Sequence, residues 1–361
     1  MIRFAIGALA PEGHHHITIG PRHPSQAGLV TGTVRSQNGR WHDVDFQPGY
    51  CHRGAEKLFE VRDYRAAALL ADRHDWLSPF TGELSVVLTI EAAMGFTSGQ
   101  RVTWIRTLLA EISRIHSHIH FLSVLKPLEL SENLWVLVDR IRDLLLAWSG
   151  NRIHVMLNRV GGLAADIPPD WSFPTDDVRR LADELSALLE GTQRFSGLAV
   201  LTGADCLAYG LSGPVARAAG LDLDLRPGYL AYPDVYTPAP LRTAGDGAAR
   251  LGVLIDELRT SSDMIDTILR ALPDLPGQLQ AKLARRLKVP EGEHWSELDA
   301  PWGRAGAWLV SRGGSTPWRL ALRTPSFANL AALGHALEGV SENAVADAVA
   351  TIGYSVGDSD K

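Results

Sequence analysis

Gly49-Tyr50-Cys51-His52-Arg53-Gly54-Ala55-Glu56-Lys57, followed at a short distance by Asp72-Arg73-His74-Asp75-Trp76-Leu77-Ser78-Pro79, is the stretch around which the chain is organised. It sets glycine bends, basic residues and acids beside Tyr and Trp within one short segment. Surface loops seldom gather so many ionisable groups next to aromatic rings. The segment is therefore expected to form a buried polar site, with the rest of the chain as its scaffold.

Upstream of this segment the sequence reads as strands. Ile17-Thr18-Ile19, Leu29 to Val34 and Trp41 to Phe46 are β-branched or alternate, and Gln37-Asn38-Gly39 is a hairpin turn. The opening residues, Met1 to Ala10, are a short apolar run and read as a first strand. His14-His15-His16 is expected to be an exposed polar loop, and Gly20 to Gly28, with two prolines and two glycines, a fixed non-helical loop. Downstream the period becomes helical. Glu83 to Met94, Val102 to Leu125, Glu132 to Trp148, Asp176 to Leu189 and Ala249 to Leu272 carry apolar residues three and four apart. Five such segments predict a helical bundle. After Pro273, Ala307 to Ser311 and Trp318 to Arg323 read as a hairpin, and Phe327 to Leu337 as a short helix. The fold class expected is α+β: an N-terminal mixed β-rich region (1–57), a central helical bundle (58–272) and a small C-terminal α/β lobe (273–361).

The chain has 361 residues, 45% hydrophobic and 21% charged, with a net charge of −6, so a sizeable core is expected and nucleic acid is a poor partner on charge. Cys51 and Cys206 are the only cysteines, which argues against a disulfide framework and against a Cys-only metal cluster. No apolar run approaches the ~20 residues that span a bilayer, so any work at a membrane is that of a peripheral subunit.

Glu111, Arg114 and His118 stand three and four apart and share one helix face. Two readings are open: a solvated face, or an inward stripe that helps build a buried charge network. His116 and His120, four apart on another face, have metal-ligand spacing, but His118 points elsewhere, so no three-His zinc site is expected. Arg152-Ile153-His154 and Asn158-Arg159-Val160-Gly161-Gly162 again put His and Arg near a glycine pair. There is no Gly-x-Ser-x-Gly elbow, no Gly-x-Gly-x-x-Gly and no Walker loop, so neither NAD nor ATP is expected on this chain.

These residues resemble the D-type, or 49-kDa, subunit family of the proton-pumping NADH:quinone oxidoreductase (complex I), a relative of the [NiFe] hydrogenase large subunit. Gly20 to Ser25 is similar to the family's G-P-Q-H-P-S and Gly49 to Lys57 to G-Y-L-H-R-G-x-E-K. Glu111 to His118 matches E-x-x-R-I-x-S-H, and Arg159 to Pro168 matches R-I-G-G-V-A-A-D-L-P. Tyr209 to Pro214, Pro325 to Leu330 and Gly357 to Lys361 also fit, so the resemblance covers nearly the whole chain. It implies a hydrogenase large-subunit-like fold and a peripheral-arm core subunit of a membrane-attached, proton-translocating NADH:quinone oxidoreductase. The chain would bind no cofactor itself. It would form the quinone cavity with a small iron–sulfur (B-type) partner that carries a [4Fe–4S] cluster. C-type and membrane-arm partners would complete the assembly on the cytoplasmic side of the cell membrane. Arg73, Asp75, Glu111, Arg114 and His118 would be polar walls or proton routes, and His23, Ala27, Trp76 and Ser78 cavity positions. His154, with Arg152, would lie near the partner's cluster.

The sequence also departs from the family. Ala27 and Trp76 stand where quinone-reducing members have a His and a Tyr that hydrogen-bond the headgroup, and an indole cannot release its N–H proton at physiological pH. Trp302-Gly303-Arg304-Ala305-Gly306 replaces R-G-E-L-G, an acid becoming a base. The hydrogenase metal centre needs two Cys-x-x-Cys pairs; Asp75 and Ser78 align with the first, the second falls within Gly353 to Lys361, and neither has cysteine, so no nickel is expected. The alternative implied by the departures is a non-catalytic or altered-acceptor scaffold subunit in a related assembly.

Overall fold

The computed structural model describes residues 11–19, 30–125 and 131–361. The expected first strand at Met1 to Ala10 and the proline-rich loop, with His23 and Ala27, lie outside the described residues. Strands β1 (His15–Ile19), β2 (Val30–Gln37) and β3 (Arg40–Gln47) form an antiparallel sheet in that order. Gln37 pairs with Arg40, which leaves Asn38-Gly39 as a two-residue loop with both φ angles positive, at 53° and 70°. That turn twists in the same sense as the strands, and Asn-Gly tolerates it. The His14 to His16 run is not wholly a loop: β1 begins at His15, which pairs with Val34.

Short helices α1 (Ala55–Glu60) and α2 (Tyr64–Leu70) lead to α3 (Pro79–Ala93), α4 (Gln100–Ser123) and α5 (Ser131–Ser149). A two-residue ladder, β4 (Asn158–Arg159) with β5 (Gly162–Leu163), precedes α6 (Thr175–Glu190). Then come α7 (Gly203–Tyr209), α8 (Gly213–Ala218), α9 (Tyr232–Val235) and the long α10 (Gly247–Ala271). Helix α4 packs on α5 and α10, and α10 on α6, around Leu108, Ile115, Leu122, Leu251 and Leu258. Helix α3 is buried on nearly every side, and its two acids, Glu83 and Glu91, are buried with backbone N–H donors from Asn158 and Gly161. It lies between α4 and a second antiparallel sheet, β6 (Gly292–Ala300), β7 (Gly303–Ser311) and β8 (Arg319–Arg323). Strand β6 was not expected from the sequence. The chain closes with α11 (Pro325–Ala336), α12 (Val345–Val349) and α13 (Val356–Ser359).

The Arg159 to Gly162 turn is bolted to the bundle. Arg106 donates to both oxygens of Glu91 at 2.8 Å each, Gly161 N–H donates to Glu91 at 2.7 Å, and Arg106 reaches the Arg159 and Gly162 carbonyls. A Cβ on Gly162 would fall 1.8 Å from the Leu279 carbonyl oxygen, so only glycine fits. No helix among the described residues is long and apolar enough to cross a membrane.

Candidate functional site

The polar stripe of α4 faces inward. Glu111, Arg114 and His118 are all essentially inaccessible to solvent, so the buried-network reading holds. Their partners in the network come from five other parts of the chain. His118 Nε2–H donates to Glu257 of α10 at 2.7 Å. Arg114 lies 3.4 Å from Glu111, 3.5 Å from Glu257 and 3.4 Å from Asp299 of β6. Arg217 of α8 donates to Glu257 at 2.7 Å and to Asp299 at 2.8 Å. Arg226 donates to Asp224 at 2.6 Å and lies 3.5 Å from Glu111, which also accepts from Tyr232 and Ser261 at 2.5 Å each. Charges this deep persist only when paired. Burial opposes ionisation of Glu257, but Arg217, His118 and Arg114 outweigh it and hold the carboxyl far below the ordinary range. Burial likewise opposes ionisation of Glu111, and Arg114 and Arg226 overcome it. Asp299 goes the other way: burial, with Asp224 nearby, pushes it up. Burial and the surrounding arginines hold His118 below its ordinary value despite Glu257.

Arg73 and Asp75 belong to a different place, the turn between α2 and α3. Arg73 is part-exposed and pairs with buried Asp72 at 3.0 Å, and its carbonyl accepts from Arg53 at 2.9 Å. His154 approaches the other oxygen of Asp72 at 3.3 Å. Arg152 is turned outward, to Asp139 and Asp143 at 3.2 and 3.4 Å. Near Asp72, Glu83 accepts the Asn158 N–H at 3.1 Å, and burial pushes this carboxyl up to about 8.

Asp75 is buried and accepts the Leu77 N–H at 3.0 Å. His74 precedes it, its Nε2 3.3 Å from Asp358 of α13. Gly357 makes this possible: a Cβ there would lie 2.5 Å from the His74 carbonyl oxygen and 3.0 Å from the Trp76 ring. The Ser78 hydroxyl joins Thr81 at 2.7 Å and Ser113 of α4 at 3.2 Å. Ser113 lines a cavity of about 20 Å³, with Pro79, Phe80, Ile112, His116 and Arg152 around it. That volume holds about one water. His116 and His120 face Arg142, which donates to His116 Nε2 and His120 Nδ1 at 3.2 Å each. Accepting those bonds requires neutral rings, and burial, then Arg142, pushes the two down to about 3 and about 4.

The sequence-predicted residues therefore fall into two groups. Glu111, Arg114 and His118 form a saturated core network; Arg73, Asp75, Trp76, Ser78 and His154 line the turn in front of it. The Ser78–Ser113 bond joins the helices that carry them. Sequence reasoning missed Arg217, Asp224, Arg226, Glu257, Asp299 and Asp358; His74 lay within the stretch expected to be buried and polar, but with no role of its own. Glu257 had a signal, an acid set between Leu254 and Leu258 within the apolar period of α10; the partners it meets had none without the fold. The first aligned pair carries carboxylate and hydroxyl oxygens, at Asp75 and Ser78, which are hard donors unsuited to a thiolate-type nickel centre.

The family described as the respiratory-chain NADH dehydrogenase 49 Kd subunit matches residues 130–285 and 278–361. A D-type NADH-quinone oxidoreductase subunit of Salinispora tropica, the second of that type by name, is 43% identical over 96% of this chain and 92% of its own length. The NADH-quinone oxidoreductase C/D-type subunit of Phocaeicola vulgatus is 32% identical over 97% of this chain and 70% of its own length. Among solved structures, a chain of an archaeal respiratory membrane complex, the membrane-bound sulfane sulfur reductase, is 26% identical with a TM-score of 0.87, covering 97% of this chain and 99% of that one. With these matches running almost end to end, the chain belongs to the 49 Kd (D-type) subunit family of complex I-type respiratory NADH dehydrogenases.

Proposed function

We propose that the chain is the quinone-facing core subunit of a membrane-attached, proton-translocating NADH:quinone oxidoreductase. It forms the headgroup cavity together with a small iron–sulfur subunit on the cytoplasmic side of the membrane. The observation that carries the proposal is the turn Asp72 to Ser78, where buried acids, His74 and His154 surround a segment held against the bundle by Ser78 and Ser113. Two cysteines, Cys51 and Cys206, cannot supply the four thiolates of a [4Fe–4S] cluster, so the cluster belongs to the partner. His154 is the group proposed to tune it, since a protonatable ring beside a cluster shifts its potential. Arg73, Asp75, Glu111, Arg114 and His118 serve as polar walls and proton routes, and the chain carries no metal of its own. A C-type companion and membrane-arm subunits complete the assembly; the C/D-type relative supports the first of these.

A second reading is favoured by Trp76, whose ring lies against the C-terminal tail, and by the structural neighbour, which is a sulfane sulfur reductase. In it the protein serves another acceptor or acts as a scaffold. The test is quinone reduction by the native complex, drawn from host membranes through a tag on this chain. Inhibitor-sensitive turnover with a co-purifying iron–sulfur subunit is the expected result. The same partners without quinone turnover would establish the second reading.

A further inference from the structure

Reducing a quinone consumes two electrons and two protons, and the donors must hold a proton near neutral pH. The Trp76 indole cannot supply one. His116 and His120 are held neutral by Arg142, and the acids of the α4 network are shut in the core with their arginines. What remains beside Trp76 is a cluster of three nearly inaccessible groups, His74, Asp75 and Asp358. Asp358 bridges two donors: its Oδ1 faces His74 Nε2 at 3.3 Å, and its Oδ2 accepts the Ser326 N–H at 3.1 Å, in the first turn of α11. Asp75 lies within electrostatic reach of both.

We infer that His74, Asp75 and Asp358 form the proton relay of this site, delivering to a quinone headgroup on the Trp76 side. This rests on the quinone-reducing function proposed above. The partner's iron–sulfur cluster supplies the electrons one at a time. As the first headgroup O–H forms, the Asp75 O–H bond breaks and leaves a carboxylate. The His74 imidazolium returns a proton to Asp75, which delivers the second, and solvent protons restore both groups. Asp358 accepts from His74 Nε2–H throughout and favours recharging of the ring once its proton has gone to Asp75.

The surroundings fit this assignment. Burial opposes protonation of His74, but Asp358, Asp75 and the Ala71 carbonyl overcome it, so the ring is shifted up. Burial and Asp358 push Asp75 up to about 7, against His74 and the Leu77 and Ser78 N–H groups. From the packed elements, α3 presents Gly82 against the His74 ring, and Arg323 of β8 acts on Asp358 from the far side. The charged groups that act most strongly on Asp75 are Asp358, which raises it, and His74, which lowers it.

The experiment uses the assembled native complex, with quinone reduction measured from pH 5.5 to 9 (about one and a half units below the transition and about two above it). Ferricyanide, which takes electrons without protons, is the control acceptor. Asp75→Asn and His74→Gln are expected to lower quinone turnover about a hundredfold at neutral pH and to leave ferricyanide reduction unchanged. In the unaltered complex, turnover should fall as pH rises through about 7, because the Asp75 proton is lost. Trp76→Tyr placed in the Asp75→Asn background restores a proton donor and should recover turnover, which a purely structural role for Asp75 does not predict. Full turnover with an unmoved pH profile in Asp75→Asn would overturn the relay and leave the quinone function intact. Absence of quinone turnover in the unaltered complex would overturn both. Should Asp75→Asn fail to assemble, Asp75→Glu decides: a displaced alkaline limb supports the relay, and an unmoved one overturns it.

Discussion

Arg114, Arg217 and Arg226 meet four carboxylates, Glu111, Asp224, Glu257 and Asp299, in the middle of the protein, with His118 beside them. With His118 neutral, the acids outnumber the bases by one. Asp299, whose carboxyl burial pushes up, is the member best able to carry the extra proton. Replacing Asp299 by Asn keeps an acceptor for Arg217 and removes the odd charge, so the cost in urea unfolding of the full chain should be about 1 kcal/mol or less. Arg217→Met takes a guanidinium away from three buried carboxylates, Asp224, Glu257 and Asp299, and should cost roughly 3–5 kcal/mol. Equal losses from the two would show that ion pairing is not what holds the network. The helical spacing of Glu111, Arg114 and His118 was legible, because it is a local property. Their partners were not, since each is delivered by a different element, and nothing near Arg217 or Asp299 marks it as buried. His74 was legible as part of a buried polar stretch, but its partner Asp358, far along the chain, was not.

At the scale of elements, hairpins with strong turn chemistry and helices with a clear apolar period were legible. The β2–β3 turn was named by Gln37-Asn38-Gly39, and the five long helices by their spacing. Strand β6 escaped because its exposed part carries Glu293, Trp295 and Glu297 and its apolar burial is confined to Leu298 and Ala300, so no alternation appears. The Gly49 to His52 bend also depends on a distant partner. Gly49 and Cys51 N–H groups donate to the two oxygens of Asp360 at 2.8 Å each, and His52 Nδ1 reaches the Asp360 carbonyl at 3.0 Å. Asp360→Asn leaves one acceptor oxygen in place of two. Hydrogen exchange should then quicken at the Gly49 or Cys51 amide by about tenfold, with amides of α10 unchanged. Unaltered exchange at both amides would mean that the bend holds itself.

For the whole molecule, the buried neutral pair His116 and His120 sets the response to acid. Their folded values, about 3 and about 4, lie below the ordinary 6.5 of the unfolded chain. The unfolded chain therefore binds protons first as pH falls. The stability they contribute is fully present above pH 6.5 and is lost progressively as pH drops towards the folded values. Between pH 7 and 5 the loss should be on the order of 3 kcal/mol. Substituting Gln at both positions should flatten that slope in urea titrations, and a slope that persists would assign it to other groups. The α+β class was legible because β-type and helical periods occupy separate stretches of the chain. The way β6 closes the bundle was not, since that depends on charges meeting across the molecule.

That closure bears on the order in which the protein is built. Arg114 leaves the ribosome long before Asp299, and Arg217 arrives between them. A guanidinium cannot enter a dry interior ahead of its carboxylates, so α4 and α10 can meet early only while water still bathes their shared face. Docking of the β6–β7 hairpin is what expels that water, which makes final compaction a late, all-or-none event governed by contacts distant in sequence.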